Sequence, residues 1–266
     1  MNNDASVDSQ GRPGPADSQP FVRVRGLSYV YPSGQSALDN VSFEIGTHEI
    51  VGLVGPSGAG KSTLLLHLNG LLPPNPARNG KPASVHVGEW DVVKQNLADV
   101  RQLVGLLFQD PEDQLFCPTV LEDVAFGPLN LDLPDVEVRT RVAHALAAVG
   151  MSESASRSTS QLSVGERKRV CLAGVLACHP ALLALDEPFS NLDPRSRNQL
   201  LEILKSCRRA QIVATHDLNM VLELCDRVLL LDEGKIEADG PTETVLSNAA
   251  LMENHGLEVP WRLREG

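Results

Sequence analysis

Gly55-Pro-Ser-Gly-Ala-Gly-Lys61-Ser62-Thr63 is the stretch that decides the fold of this 266-residue chain. An apolar run, Ile50-Val-Gly-Leu-Val54, leads into it, and a helical run, Leu64-Leu-Leu-His-Leu-Asn69, leads out. Together they give strand, glycine turn and helix with the spacing G-x-x-x-x-G-K-S. The glycines let successive backbone N–H groups converge into a nest for phosphate oxygens, and the helix N-terminus behind the nest adds partial positive charge. Lys61 is placed to reach the β- and γ-phosphates, and the Ser62 hydroxyl to ligate Mg²⁺. At average glycine usage a chance match in a chain of this length is on the order of 1%. The bland alternative, a glycine-rich turn with a solvated lysine, does not explain the flanking strand and helix. Gly55, Pro56, Ser57, Gly58, Ala59, Gly60, Lys61, Ser62 and Thr63 are therefore read as a nucleoside triphosphate site.

Composition bounds the rest. A chain of this length that is 42% hydrophobic can bury a full core, as one large domain or two small ones. A net charge of −11 argues against a nucleic-acid surface, which carries a basic stripe. No stretch of about 20 apolar residues is present to span a membrane. No basic segment followed by an apolar one opens the chain, so no secretory signal is expected. The five cysteines form no C-x-x-C pair and read as reduced, cytosolic thiols, with Cys171 and Cys178 on one helical face. The seven histidines are scattered without ligand spacing.

Residues 1–20 are polar, with Gly and Pro, and are expected to form a disordered tail. Phe21-Val-Arg-Val-Arg25 then alternates as a half-exposed strand does, Leu27 to Tyr31 continues it, and Val41 to Ile45 is a second alternating strand. Tyr31 ends this antiparallel layer, either as a platform for adenine or as an ordinary sheet-edge aromatic. A Pro/Gly/Asn-rich connection, Pro73 to Pro82, precedes a strand at Ser84 to Val87. The periodicity of Val138, Val142, Ala145, Leu146 and Val149 predicts a helix over 134–149, after a shorter one at Thr119 to Phe126. These helices interrupt the strand–helix alternation and read as an inserted subdomain, about 111–162. Ser163 and Glu166 have capping-box spacing ahead of a helix to about Cys178.

Three buried strands end in polar residues. Gly105 to Phe108 runs out into Gln109, Ala181 to Leu185 into Asp186-Glu187, and Gln211 to Thr215 into His216-Asp217. In open α/β sheets the carboxyl ends of the strands form the ligand edge. Asp186 could there hold Mg²⁺, Glu187 could polarise the attacking water, and Gln109 could contact either. Closing strands follow at Leu224 to Leu231 and Gly234 to Gly240, then short helices and a tail from 246 to 266. The fold class expected is α/β, resembling a P-loop NTPase core of RecA-like type, with a mostly parallel sheet, an antiparallel β layer and the helical insertion.

Residues from about Phe21 to Pro260 resemble the ATP-binding subunit of an ABC transporter. The phosphate loop matches Walker A, and Leu183 to Glu187 matches Walker B with its catalytic glutamate. Gln109 matches the Q-loop, Leu162 to Glu166 the signature, Asp193 the D-loop and His216 the H-loop switch. The resemblance implies that Tyr31 stacks on adenine and that ATP with Mg²⁺ is the ligand. It also implies a head-to-tail dimer in which Ser163 and Gly165 of one subunit complete the site built by the other. Phe108 to Phe116, with Pro118 to Val120 and Glu122 to Pro128, looks like the energy-coupling-factor ATPases, above all the cobalt type. Those serve cobalt, nickel and vitamin uptake, and there this segment faces a transmembrane coupling protein, which places such subunits peripherally on the cytoplasmic face. One departure stands out: the family signature carries Gly where this chain has Val164, strained if φ is positive there and tolerable as the first residue of a helix.

Two rivals come from other classes. A soluble P-loop kinase would not need Leu162 to Glu166. A non-transport ABC ATPase acting on DNA or ribosomes would carry a long coiled-coil insertion, tandem cassettes or a basic surface.

Overall fold

The computed structural model describes residues 20–72 and 84–264. Residues 1–19 of the expected tail, and the Pro73–Pro82 connection, lie outside the described residues. The alternating segments form β1 (Val22–Val30) and β2 (Ser36–Ile45), paired antiparallel with Val24 opposite Phe43. β3 (Ile50–Val54) opens a second sheet and runs through the glycine loop into α1 (Lys61–Leu68). The chain returns to the first sheet for β4 (Ser84–Val87) and the short edge β5 (Trp90–Asp91), in the order β2-β1-β4-β5.

After α2 (Leu97–Leu103), β6 (Val104–Leu107) joins the second sheet. Three helices follow without an intervening strand: α3 (Val120–Leu129), α4 (Asp135–Ala148) and α5 (Val164–Ala177). Then come β7 (Leu182–Asp186), α6 (Pro194–Ser206), β8 (Ala210–Ala214), α7 (Leu218–Leu224), β9 (Arg227–Asp232), β10 (Lys235–Pro241), α8 (Thr242–Leu246) and α9 (Ala249–Asn254). The second sheet has the order β10-β9-β3-β8-β7-β6, parallel throughout except for β10 at its edge. β7 and β8 lie inside the sheet and are buried on both faces, as parallel strands between two layers must be; β7 is apolar up to Leu185, and β8 is apolar except for Gln211. Each leucine so buried contributes about 1.5–3 kcal/mol.

The period-2 alternation of these strands divides the interior into two cores. Leu182, Ala184, Ile212 and Ala214 face the first sheet and α1, whereas Leu183, Leu185 and Val213 face the helices. The helical core is continuous with the insertion: Val120, Val124, Val138, Val142, Leu146 and Val149 all belong to it. α3 and α5 both start in full capping boxes, Thr119 with Glu122 and Ser163 with Glu166, the signal the sequence showed at Ser163. Cys171 is buried and Cys178 half-buried along α5, and burial pushes the Cys171 thiol up to about 12, so it packs as a small apolar group.

Several elements differ from the sequence reading. β2 begins at Ser36, and α2 was not foreseen. The strand expected from Leu224 starts at Arg227, because Leu218 to Leu224 is the helix α7, capped by Asp217 accepting the Met220 N–H at 3.2 Å. The segment expected as a tail from 246 holds α9, whose Met252 is fully buried and whose cap, Asn248, accepts the Leu251 N–H at 3.1 Å. His255 Nδ1 lies 2.8 Å from Asp232 Oδ2, tying this segment to the end of β9.

His67 of α1 is completely buried, its ring edge-on to Tyr29 at a centroid distance of 4.7 Å. Burial lowers its pKa to about 4, against a weaker opposing pull from the Leu72 backbone. The folded chain therefore holds a neutral imidazole, while the unfolded chain takes up a proton near pH 6.5. Stability from this group is full above pH 6.5 and is lost as the pH falls towards 4, by about 3 kcal/mol in all. Urea unfolding at pH 7.5 and 4.5 should show a drop that is smaller by about 2.5 kcal/mol in His67→Leu. An equal drop in both proteins would contradict it.

Candidate nucleotide site

The edge at which β3, β8, β7 and β6 end gathers the polar residues singled out above. Gly55 leaves β3 at φ 150°, and a Cβ there would sit 1.9 Å from the Leu231 carbonyl oxygen. Gly60 precedes α1 at φ 107°, where a Cβ would lie 2.4 Å from the Ala37 carbonyl oxygen. Only glycine fits at either end, which is why the loop can turn so tightly against β9 and β2. No side chain caps α1, so its first N–H groups point into the loop. Lys61 Nζ lies across it, donating to the carbonyls of Gly55 at 2.7 Å and Pro56 at 2.9 Å. Burial lowers the Lys61 pKa, while the carboxylates of Glu187 and Asp186 raise it.

At the end of β7 the Asp186 carboxylate lies beside the loop, near enough to the Ser62 hydroxyl and the Lys61 ammonium for both to favour its charged form. Burial raises its pKa, partly offset by Ser62 and by Lys61. Glu187, the next residue, is buried and adopts φ 44°, in the left-handed region that a non-glycine residue rarely enters. Its N–H donates to the Ala214 carbonyl at 2.8 Å, crossing from β7 to β8. Both carboxylate oxygens are held: Thr215 Oγ1 donates to Oε2 at 3.0 Å, and the His216 N–H donates to Oε1 at 3.1 Å. His216 Nδ1 also lies 2.7 Å from Oε1 and must be the donor, since a carboxylate oxygen accepts. The His216 side chain is nevertheless 70% exposed.

The structure thus brings together Gly55 to Thr63, Asp186, Glu187 and His216. Tyr31, just past β1, joins them through its hydroxyl, 2.9 Å from Thr63 Oγ1. Gln109 is exposed beyond β6 and lines a cavity of about 520 Å³ with Asp110, Val164, Lys168 and Asn191. Ser163 is exposed, and its hydroxyl and backbone bond Glu166 and Arg167 of its own helix. Gly165 is buried where a Cβ would meet Ser196 Oγ at 2.5 Å, so it lets α5 approach the start of α6. Asp193 caps α6, accepting from the Arg195 and Ser196 N–H groups at 3.0 and 3.1 Å and from Ser196 Oγ at 2.6 Å. Gly165 and Asp193 therefore meet at one residue, Ser196. Val164 is the first residue of α5 and does not have a positive φ, which answers the question its substitution for glycine raised.

Three residues that hold Glu187 were not singled out by sequence reasoning: Thr215, and Lys168 and Ser190, which both donate to the Glu187 carbonyl. Thr215 stands immediately before His216 on a strand already assigned to the ligand edge, and a hydroxyl there was a usable signal. Among the described residues no cluster of His, Cys, Asp and Glu could itself hold a metal ion, and no helix is long and apolar enough to cross a membrane.

Comparison with known proteins agrees with this geometry. A family model described as ABC transporter matches residues 38–190. The energy-coupling factor transporter ATP-binding protein EcfA of Methanothermobacter thermautotrophicus is 43% identical over 247 residues, covering 90% of this chain and 77% of that one. The cobalt import ATP-binding protein CbiO of Rhodobacter capsulatus is 43% identical over 246 residues, covering 91% and 86%. Among solved structures, cbiO1 of Clostridium perfringens, part of the ABC transporter complex cbiONQ, superposes with a TM-score of 0.77 at 32% identity, over 93% of this chain and 99% of that one. The ATP-binding cassette MJ0796, solved as a dimer in a post-hydrolysis state with ADP and Pi, gives 0.73 at 26% identity, over 83% and 98%. These likenesses set the kinase reading aside. With a Walker-type loop, an acidic strand end and a capped signature helix in one fold, the chain belongs to the ABC transporter family, among the ATP-hydrolysing subunits of the energy-coupling-factor and cobalt-import type.

Proposed function

We propose that the chain works as one of two ATP-binding subunits joined head to tail, each ATP lying between the loop of one and the Ser163–Gly165 turn of the other. The observation that carries this is the arrangement at one sheet edge: the Ser62–Asp186 pair and the Glu187–Thr215–His216 group lie beside the loop, while Ser163 is exposed at the start of α5. The dimeric cassette among the structural neighbours supports it.

The donor set fits Mg²⁺. The Ser62 hydroxyl and the neighbouring Asp186 carboxylate, with an amide oxygen at the same edge on Gln109, are hard oxygen ligands of the type the ion prefers. When bound there, Mg²⁺ would neutralise charge on the β- and γ-phosphates. Lys61 would exchange its two carbonyl partners for phosphate oxygens, and Glu187 would orient water for in-line attack. His216, exposed on the side away from Glu187, would hold the γ-phosphate. Tyr31, tethered to Thr63, would stack on adenine. Gln109 would report the state of the site to the helical layer, and Asp193, beside Gly165, would adjoin the second subunit.

The proposed partners are integral membrane subunits, a coupling protein and a substrate-binding protein, with this chain peripheral on the cytoplasmic face. Phe116 and Phe126, stacked edge-on at 4.6 Å yet exposed together with Leu121 and Leu129, support such a docking surface. The cargo is a small solute such as cobalt, nickel or a vitamin. Nucleic acid is not proposed as a partner.

The test of the shared site is a mixture. Lys61→Met and Ser163→Arg should each be inactive alone, while a one-to-one mixture should regain about a quarter of the wild-type rate, because half the dimers then carry one intact site. Failure to regain any activity, with dimers present, would overturn head-to-tail sharing. Purification from membranes should bring down the integral partners.

A further inference from the structure

Lys168 is a lysine where the fold needs none. It lies in the second turn of α5, with the residue only 2% exposed. Its Nζ donates to the Glu187 carbonyl at 2.7 Å and to Ser190 Oγ at 2.8 Å, and Ser190 Oγ donates to the same carbonyl at 2.9 Å. The ammonium is held by a carbonyl and a hydroxyl rather than by a carboxylate. Burying a cation in that way costs far more than burying an apolar side chain of the same length, so packing does not explain it.

What it holds is the one residue whose backbone is strained at the centre of the site. Glu187 sits at φ 44°, its N–H pinned by Ala214 on one side and its carbonyl by Lys168 and Ser190 on the other. Left-handed backbone at a non-glycine residue persists only where its surroundings over-determine it. The direction of the Glu187 carboxylate follows from that turn.

We propose that Lys168 is a positioning residue that clamps the Glu187 main chain in its left-handed turn, and so makes the rate of hydrolysis depend on the seating of α5. The inference rests on the reading of Glu187 as the group that orients water. Lys168 lies five positions after Ser163, the N-cap of the same helix. In the dimer, contact of the α5 start with the second subunit's ATP would then be felt, through this clamp, at the catalytic carboxylate of the chain's own site.

Steady-state hydrolysis by the full chain tests it, in wild type, Lys168→Met, Ser190→Ala, Glu187→Gln and the Lys168→Met/Glu187→Gln double variant. Methionine keeps the stem and removes the charge, and Ser190 Oγ still donates to the Glu187 carbonyl. Lys168→Met should lower kcat by about 10- to 100-fold, the size of effect that misplacing a reacting group produces. KM for ATP should change by less than about 2-fold, because binding lies elsewhere. In the Glu187→Gln background the same substitution should cost nothing further. A kcat within about 2-fold of wild type, or an undiminished loss in the Glu187→Gln background, would overturn the proposal. Should Lys168→Met not fold, Ser190→Ala compared in the same two backgrounds decides by the same criteria. Wild-type turnover by Glu187→Gln itself would instead overturn the reading of Glu187, a separate failure.

Discussion

Glu187→Gln should bind ATP as wild type does and hydrolyse it roughly 10²- to 10⁴-fold more slowly, the range over which a positioned general base contributes. Both carboxylate oxygens are already acceptors, of Thr215 Oγ1 on one and of the His216 N–H and Nδ1 on the other. An amide keeps the shape but turns one of these oxygens into a donor facing a donor, and it supplies no negative charge to polarise water. The main-chain contacts to Ala214 and Lys168 survive, so the fold and the loop should be untouched. Single-turnover hydrolysis beside equilibrium ATP binding separates the two effects. A variant that kept wild-type turnover would show that the nucleophile is oriented by another group.

Lys61→Met should fail one step earlier, at binding. The lysine ammonium now bonds two loop carbonyls, and its charge sits between the loop and the carboxylates of Asp186 and Glu187. Charge-assisted hydrogen bonds contribute about 1.5–3 kcal/mol each, so losing two to phosphate oxygens should weaken ATP binding by about 10²-fold or more. Removing the cation also leaves Asp186 and Glu187 without their nearest positive charge from the loop, which adds repulsion towards an anionic ligand. Calorimetric titration with ATP and Mg²⁺ checks this, with the unfolding midpoint as the control for folding. Unchanged affinity would place the triphosphate away from the loop.

The sequence made the site legible because its chemistry is local in sequence even though its members are far apart. Each of Gly55 to Thr63, Asp186-Glu187 and His216 follows a recognisable apolar run, and a parallel sheet delivers the ends of such runs to one edge. The α5 capping box was legible for the same reason, as side chain and backbone three residues apart. What escaped was either short or non-local. α7 has seven residues between two strands, too few for a period to show. The packing of α9 depends on Met252 meeting a core built from distant segments, and nothing in its own stretch announces that. Lys168 looked like any helix lysine in a basic run, Arg167-Lys168-Arg169. Only the tertiary structure shows that its neighbours stay partly in solvent while it goes inside.

The two cores divided by the second sheet carry a consequence for how the molecule can be taken apart. The same strands supply both: along β7, Leu182 and Ala184 serve one side while Leu183 and Leu185 serve the other. The α3–α4 layer has no interior of its own, since its buried residues are finished by α5 and by the underside of the sheet. It is therefore not a transplantable module. Cut out, it would lose the surface that completes it, and the remainder would present a bare apolar face to water. Any movement of that layer during turnover must be a slide or tilt across a greasy contact, with each half remaining folded because the other is there.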